Sequence, residues 1–319
     1  MHKHLIRTSY KDMTHDEWLA FRRGSIGGSD AAAIIGLSPW ATPYSVWADK
    51  LGMTAPAEDN EAMRLGRDLE DYAAKRWCEK TGKKVRRENS FLVNPDYPWA
   101  HATVDRIVVG EDEGLECKVT SSRLALKKYK NGEYPENYYC QCVHYLGVTG
   151  AKRWNLTVLV LGVGVFDFVI ERDEDEINAL MVEEAHFWEG FILPKLAPPV
   201  DGHTATTEAL SEVYSNGGGE DVDVTLYDQL LDEYTALGEQ IGQLAARRDE
   251  ISNRLKEYLG NAEEGSSGRY RVSWKVRTRS SFDNKAFSAD HPNEDLSKYF
   301  ETTTYRAFKV AEIDEAEGR

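Results

Sequence analysis

The chain has 319 residues, 41% of them hydrophobic, which is enough to bury a substantial core in one large domain with an appendage or in two domains. No apolar run approaches membrane length: the longest, WNLTVLVLGVGVF, is broken by glycine, and the N-terminus lacks an apolar signal core, so the expected location is the cytoplasm, with no membrane partner. The net charge of −15 speaks against a surface that is basic throughout, and four cysteines (Cys78, Cys117, Cys140, Cys142) without a CxxC pair suit neither a disulfide framework nor a metal–thiolate site.

The charge is unevenly spread. Residues 1–200 hold 25 Lys/Arg against 30 Asp/Glu, and residues 201–319 hold 14 against 24. Basic runs at 75–87 and 123–130 leave room for a locally positive groove, because phosphate binding depends on local charge. Solvated helix faces account equally well for the first run.

Along the chain, HDEWLAFRRG at 15–24 predicts a short helix with Trp18, Leu19 and Phe21 inward and an end at Gly24. In SIGGSDAAAIIG, Gly27 and Gly28 free the backbone, Ser29 is the expected N-cap, and Asp30 opens a small apolar helix ending at Gly36. A helix start behind glycines is a natural anion seat, and Arg22 is close enough in sequence to clamp it. Ser29 as a plain cap and Asp30 as a dipole complement fit the same residues. A further helix is predicted at 42–50 and a polar loop at 52–60. EAMRLGRDLEDYAAKRWCEKTG then carries a helical stripe of Met63, Leu65, Leu69, Tyr72, Ala73 and Trp77, about six turns long, with Glu70 beside a contact position. VRRENSFLV predicts a strand.

The segment HATVDRIVVGEDEGLECKVT, residues 101–120, reads as a hairpin: two alternating stretches joined by an acidic, glycine-containing connection. Residues two apart on a strand share a face, so Glu116 and Lys118 point one way and Cys117 the other, with Asp105 able to join them across the pairing. Two carboxylates and an amine at a sheet end suit a hard divalent cation such as Mg2+, which polarises a phosphodiester and acidifies a bound water, with Lys118 orienting that water or steadying the charge that builds on phosphate. An ordinary charged hairpin face has the same composition. If the preceding helix packs beside the hairpin, Glu70 becomes a third carboxylate.

After a basic loop, ENYYCQCVHYLGVTG places Tyr138, Gln141, His144 and Tyr145 at helical spacings, so Gln141 can face the same cleft. RWNLTVLVL and VFDFVIER predict two strands, and a helix from Glu174 to Leu196 closes the unit before Pro198 and Pro199. The order of helices and strands around a central hairpin predicts an α/β sandwich.

Taken in order, Arg22-x-Gly-x-Ile-x-x-Ser29, Gly66-x-x-x-Glu70, Asp105, Glu116-x-Lys118 and Tyr138-x-x-Gln141-x-x-x-Tyr145 resemble the phage λ exonuclease and YqaJ-type viral recombinase family of the PD-(D/E)xK nuclease superfamily, over roughly residues 14–170. The resemblance implies a restriction-endonuclease-like α/β core with a mixed central sheet flanked by helices. It implies two Mg2+ ions per site, with Mn2+ as a substitute, held by Glu70, Asp105, Glu116 and the Cys117 carbonyl. Lys118 would assist the attacking water and Gln141 would lie beside it. Arg22 and Ser29, with Tyr138, would hold the 5′ phosphate. The implied activity is digestion of the 5′-ended strand of linear double-stranded DNA, in a bacterial host cell, as a homo-oligomer (a trimer in the family) working with a single-strand annealing protein. A sequence- or structure-specific endonuclease of the same superfamily would use the same acids and lysine without needing the Arg22–Ser29 pair. A non-catalytic DNA-end-binding assembly protein would typically have lost an acid or the lysine.

The expected organisation is a nuclease domain at 1–200, a linker at 201–222, a long helix or helical arm at 223–262 and a small β-containing module at 263–319. Apolar residues at 226, 230, 234, 237, 241, 244, 251 and 255, broken by Arg248, follow steps of three and four. That pattern fits a helical hairpin arm or a coiled-coil segment serving oligomerisation, and equally a plain amphipathic helix folded back on the core. RYRVSWKVRTRSSFD alternates apolar and basic residues and is expected to pair with YRAFKVAEI in a small sheet whose basic face either touches DNA or is simply solvated.

Overall fold

The structure is a computed structural model that describes residues 4–56, 59–291, 297–302 and 304–311. It divides into two units, residues 1–215 and 216–319.

The first unit opens with β1 (Ile6–Ser9), α1 (His15–Arg23), α2 (Gly28–Ile34), α3 (Pro43–Lys50) and α4 (Glu61–Thr81). Local chemistry sets these ends. Thr14 and Glu17 form a reciprocal capping box on α1, Thr42 caps α3 ahead of Pro43, Asn60 caps α4, and Gly82 ends α4 in the left-handed conformation. Next come β2 (Val85–Arg87), β3 (Ser90–Val93), β4 (Arg106–Val108), β5 (Glu113–Thr120), α5 (Leu126–Lys130), α6 (Glu136–Thr149), β6 (Arg153–Val160), β7 (Gly164–Glu171), α7 (Glu174–Phe187) and α8 (Thr204–Val213).

The central sheet is mixed, in the order β2-β4-β5-β6-β7, with β5 and β6 parallel and the other pairs antiparallel. A separate ribbon pairs β1 with β3. One face of the sheet packs Leu115, Cys117 and Leu159 against Ala73, Ala74 and Trp77 of α4. The other packs Trp154, Leu156 and Val158 against α6 and α7, including Val143, Leu146, Ile177 and Met181. The α/β sandwich predicted from the order of elements is therefore present, with β5 at its centre. Gly114, the second residue of that strand, leaves room for the Trp154 ring, from which a Cβ there would sit 2.2 Å away.

Several boundaries differ from the sequence reading. The first hairpin strand is only three residues long and starts at Arg106, one residue after Asp105. The apolar stripe of α4 is buried only in its second half, Met63, Leu65 and Tyr72 being 45, 37 and 49% exposed. VRRENSFLV is split into two strands. The α7 helix runs into a π-helical turn at Trp188–Ile192. Within the expected linker, α8 packs on α3, with Thr206 buried and hydrogen-bonded to Thr42 (2.8 Å). Its small residues, Ala205, Thr206 and Ala209, let the helices approach, a signal hidden by the polar sequence around them.

The second unit holds α9 (Asp228–Leu259), a two-stranded antiparallel sheet of β8 (Glu264–Ser266) and β9 (Arg271–Ser273), and α10 (Asn284–Asp290). Here α9 is one continuous helix and not a hairpin of two. The alternating basic segment pairs with the chain just before it, the tight Ser267–Tyr270 connection outcompeting the distant YRAFKVAEI, whose described residues form no strand. No helix among the described residues is long and apolar enough to cross a membrane.

Candidate active site and the family of the chain

The site forms just ahead of β4. Pairing between β4 and β5 ends at Leu115, so the next stretch of the β5 edge lacks a strand on that side. Asp105, just ahead of β4, fills the place with its side chain: the Cys117 amide donates to Asp105 Oδ2 at 2.8 Å. In an extended strand the N–H and C=O of one residue face the same edge, so the Cys117 carbonyl faces the Asp105 edge while its thiol enters the α4 core.

On the opposite face of β5, Glu116 and Lys118 share a side, as the period-two reading requires. Lys118 Nζ lies 2.7 Å from Glu116 Oε1 and donates to Gln141 Oε1 at 2.7 Å. Gln141 Nε2 donates to Glu116 Oε1 (2.9 Å) and to Tyr145 Oη (2.8 Å), and Tyr145 Oη donates to the Thr103 carbonyl (2.8 Å). The Lys118 ammonium also sits 5.3 Å from the centre of the Tyr138 ring. Thus α6 fastens onto the hairpin by Tyr138, Gln141 and Tyr145, one helical face at i, i+3 and i+7.

The electrostatics single out the carboxylates. Burial, then the Glu116 and Glu70 charges, push the Asp105 carboxyl well above the usual carboxylate range despite the Cys117 amide. Glu116 is 3% exposed, and its Oε2 is buried without a hydrogen-bond partner. Like-charged carboxylates held together with an orphan oxygen are a donor set that a hard divalent cation would relieve, so Asp105 and Glu116 fit the expected metal chemistry. Glu70 is placed differently. Its Oε1 accepts from Arg106 Nη1, which also donates to the Asp105 carbonyl (2.7 Å), while Arg106 Nη2 binds Asp71. Among the described residues no three His, Cys, Asp or Glu side chains are grouped so as to hold a metal ion by themselves.

Arg22 and Ser29 do meet, Arg22 Nη2 donating to Ser29 Oγ at 3.2 Å. The local reading of α2 needs correction: Gly27 is the N-cap, Ser29 is exposed inside the first turn, and it is Asp30 whose carboxylate accepts from the Gly27 amide (2.9 Å). Burial raises the Asp30 carboxyl, but Lys50 at 2.6 Å and Arg22 at 3.8 Å overcome it and hold it at about 2. Lys50 also donates to the Arg22 carbonyl (2.8 Å), and Arg22 lies 5.0 Å from the Trp18 ring centre. Gly28 lets α2 approach α6: a Cβ there would sit 2.6 Å from Tyr145 Cε1 and 3.1 Å from Gln141 Cγ. Ser29, which Arg22 reaches from α1, and Gln141 therefore stand on two helices in direct contact, α2 and α6.

A model described as the YqaJ-like viral recombinase domain matches residues 17–152, from α1 to the end of α6. The uncharacterized protein YqaJ of Bacillus subtilis (strain 168) is 37% identical over 308 residues, covering 95% of this chain and 96% of that protein. The chain belongs to the YqaJ-like viral recombinase family. Every residue of the cluster just described lies within the matched domain, whereas the likeness to the B. subtilis family member continues through the second unit. Among solved structures, the alkaline exonuclease LHK-Exo from Laribacter hongkongensis is similar at 22% identity, over 57% of this chain and 94% of that one, with a TM-score of 0.49. A phage-related exonuclease from Haemophilus somnus 129PT is similar at 14% identity, over 54% and 96%, with a TM-score of 0.41.

Sequence reasoning missed Lys50 and Arg106, credited Gly28 only with freeing the backbone, and took Tyr145 only as a spacing mark. Tyr145 alone left a signal, sitting four residues after Gln141 on one helical face. The others act through residues 20 to 117 positions away, which no local pattern encodes.

Proposed function

We propose that this family member is a Mg2+-dependent exodeoxyribonuclease that degrades the 5′-ended strand of linear duplex DNA, leaving 3′ single strands for a single-strand annealing partner. The observation that carries this reading is the juxtaposition of two clusters: Asp105, Glu116, Lys118 and Gln141 on one side, and on the other Ser29 of α2, the helix packed against α6, with Arg22 of α1 hydrogen-bonded to it.

Arg22 and Ser29 bind the terminal 5′ phosphate, the guanidinium supplying charge and the exposed hydroxyl a further donor, with Tyr138 beside Lys118 lining the path of the strand. Asp105 and Glu116, with the Cys117 carbonyl, would hold Mg2+ or Mn2+. Glu70 would join as a further ligand on exchanging its Arg106 partner for a cation. When bound, such ions acidify a water and offset charge on the phosphodiester oxygens. Two of the three Lys118 donors are taken by Glu116 and Gln141, and the third is the one assigned to the attacked phosphoryl group. Gln141 keeps the ammonium and the Glu116 carboxylate in register. Assembly as a homotrimer is an accompanying expectation of the family resemblance.

The test is digestion of linear and closed circular duplex, with and without Mg2+, comparing phosphorylated and hydroxyl 5′ ends. Loss of the 5′-ended strand from linear DNA alone, in Mg2+ only and faster from phosphorylated ends, is expected. Cleavage of closed circles would establish an endonuclease instead, and binding of ends without hydrolysis would establish an assembly protein. Glu116→Ala and Lys118→Ala are expected to reduce turnover by at least about 10²-fold. Retention of strong Mg2+-dependent digestion by either refutes its assignment.

A further inference from the structure

The 32-residue helix α9 buries none of its residues. Its apolar side chains recur every seven positions in two interleaved series, Leu230, Leu237, Leu244, Ile251 and Tyr258 in one, and Tyr234, Ile241 and Leu255 in the other, where Arg248 takes the remaining place. Steps of three and four held over this length are the 3.5-residue period of a coiled-coil seam, with the first series at d and the second at a. The apolar seam residues are 45 to 91% exposed. Among the described residues of its own unit, Tyr234 lies 5.7 Å from the Phe308 ring centre and Leu255 and Tyr258 border a cavity beside β8 and β9. Gly238 and Gly242 weaken its interior, so a helix of this length needs a packing partner.

We propose that α9 is a self-association arm that forms an antiparallel two-stranded coiled coil with α9 of a second copy of this chain. Charge selects both partner and direction. Residues 228–243 carry four acidic and no basic side chains, while residues 244–259 carry four basic and three acidic ones, so two copies are complementary only head to tail. With the two-fold axis midway between Ile241 and Leu244, each a residue faces a d residue of the second copy. Ile241 then packs on Leu244, and Tyr234 on Ile251. The same register sets Glu233 beside the partner's Arg254 at each end. Arg248 lies over the partner's Leu237, where its methylene stem packs and its guanidinium reaches water. A parallel pair would instead bury Arg248 against Arg248. The other flank carries Gly238, Ala245 and Ser252, small enough for the backbones to close up.

The full-length protein is measured by light scattering or sedimentation at several concentrations. Leu237→Glu together with Leu244→Glu places two carboxylates in the seam and is expected to halve the assembly mass, whatever state the first unit adopts alone, because each arm joins two copies. Glu233→Arg and Arg254→Glu are surface changes. Each is expected to raise the dissociation constant about ten-fold, and the two together to restore it, since the swapped charges meet only across an antiparallel pair. An unchanged mass for the double glutamate variant, or a wild-type chain monomeric at micromolar concentration, overturns the arm. Failure of the charge swap to restore affinity overturns the antiparallel arrangement.

Discussion

Tyr145 illustrates how one hydroxyl organises the candidate site. It accepts from the Gln141 amide and donates to the Thr103 carbonyl, joining α6 to the stretch that leads into Asp105. Tyr145→Phe keeps the ring and deletes both bonds. It is expected to cost about 1–2 kcal/mol of stability, since a half-buried carbonyl loses its donor, and to lower kcat about ten-fold as Gln141 loses one of the bonds that fix its rotamer. Thermal unfolding and single-turnover digestion check the two parts separately. Arg22 offers a different readout. Arg22→Ala is expected to remove the preference for phosphorylated over hydroxyl ends while leaving digestion of hydroxyl ends nearly intact, and equal loss on both ends would remove the phosphate-binding role. At this scale the sequence was informative where chemistry repeats along the chain. Glu116, Cys117 and Lys118 alternate as a strand must, and the structure puts the two charged residues together and the thiol in the opposite layer. It was uninformative about Arg106, an ordinary strand arginine until α4 brings Glu70 and Asp71 to it.

At the scale of elements, the decisive contact is between α2 and α6. Gly28 carries no side chain where the Tyr145 ring lies, so Gly28→Ala forces one helix off the other. The expected result is a loss of about 1–3 kcal/mol, seen as a lowered urea midpoint, together with a larger fall in activity on phosphorylated ends than on hydroxyl ends, because Ser29 moves with α2 and away from Arg22 of α1. Helix and strand types were legible from periodicity where an element buries one face and exposes the other, as α4 does in its covered half. The limits of the reading are equally physical. Cap identity at α2 turned on a carboxylate reaching back three residues, the stripe of α4 outruns the sheet that covers it, and α8 hides among polar residues because only small ones touch α3.

Across the whole molecule, pH acts on buried histidines. His101 is fully buried, shares a hydrogen bond with Ser25 (2.8 Å), and has an Nε2 without a partner. Burial, reinforced by the Lys50 charge, pushes its imidazole down from 6.5 to about 3. The folded chain therefore keeps the ring neutral where the unfolded chain takes up a proton. Its contribution is present above about pH 6.5 and is lost as pH falls from there toward 3, by up to about 1.4 kcal/mol per pH unit. His144 works in the opposite sense. Burial opposes its charge, yet Glu184 at 2.7 Å raises it, so its contribution is present below 6.5 and fades as pH climbs through the raised folded value. Urea midpoints at pH 7 and 4.5 are expected to fall less in His101→Gln than in the native chain, and identical falls would show that His101 titrates alike in both states.

The late start of β4 has one more consequence. The Cys117 amide lies mid-strand yet is covered by a side chain, so its hydrogen belongs to Asp105 and not to the ladder. Deuterium uptake at that one position thus becomes a spectator of the carboxylate, slowing or quickening whenever the oxygen is claimed by a proton, a cation or an incoming strand, while its ladder-bonded neighbours stay silent.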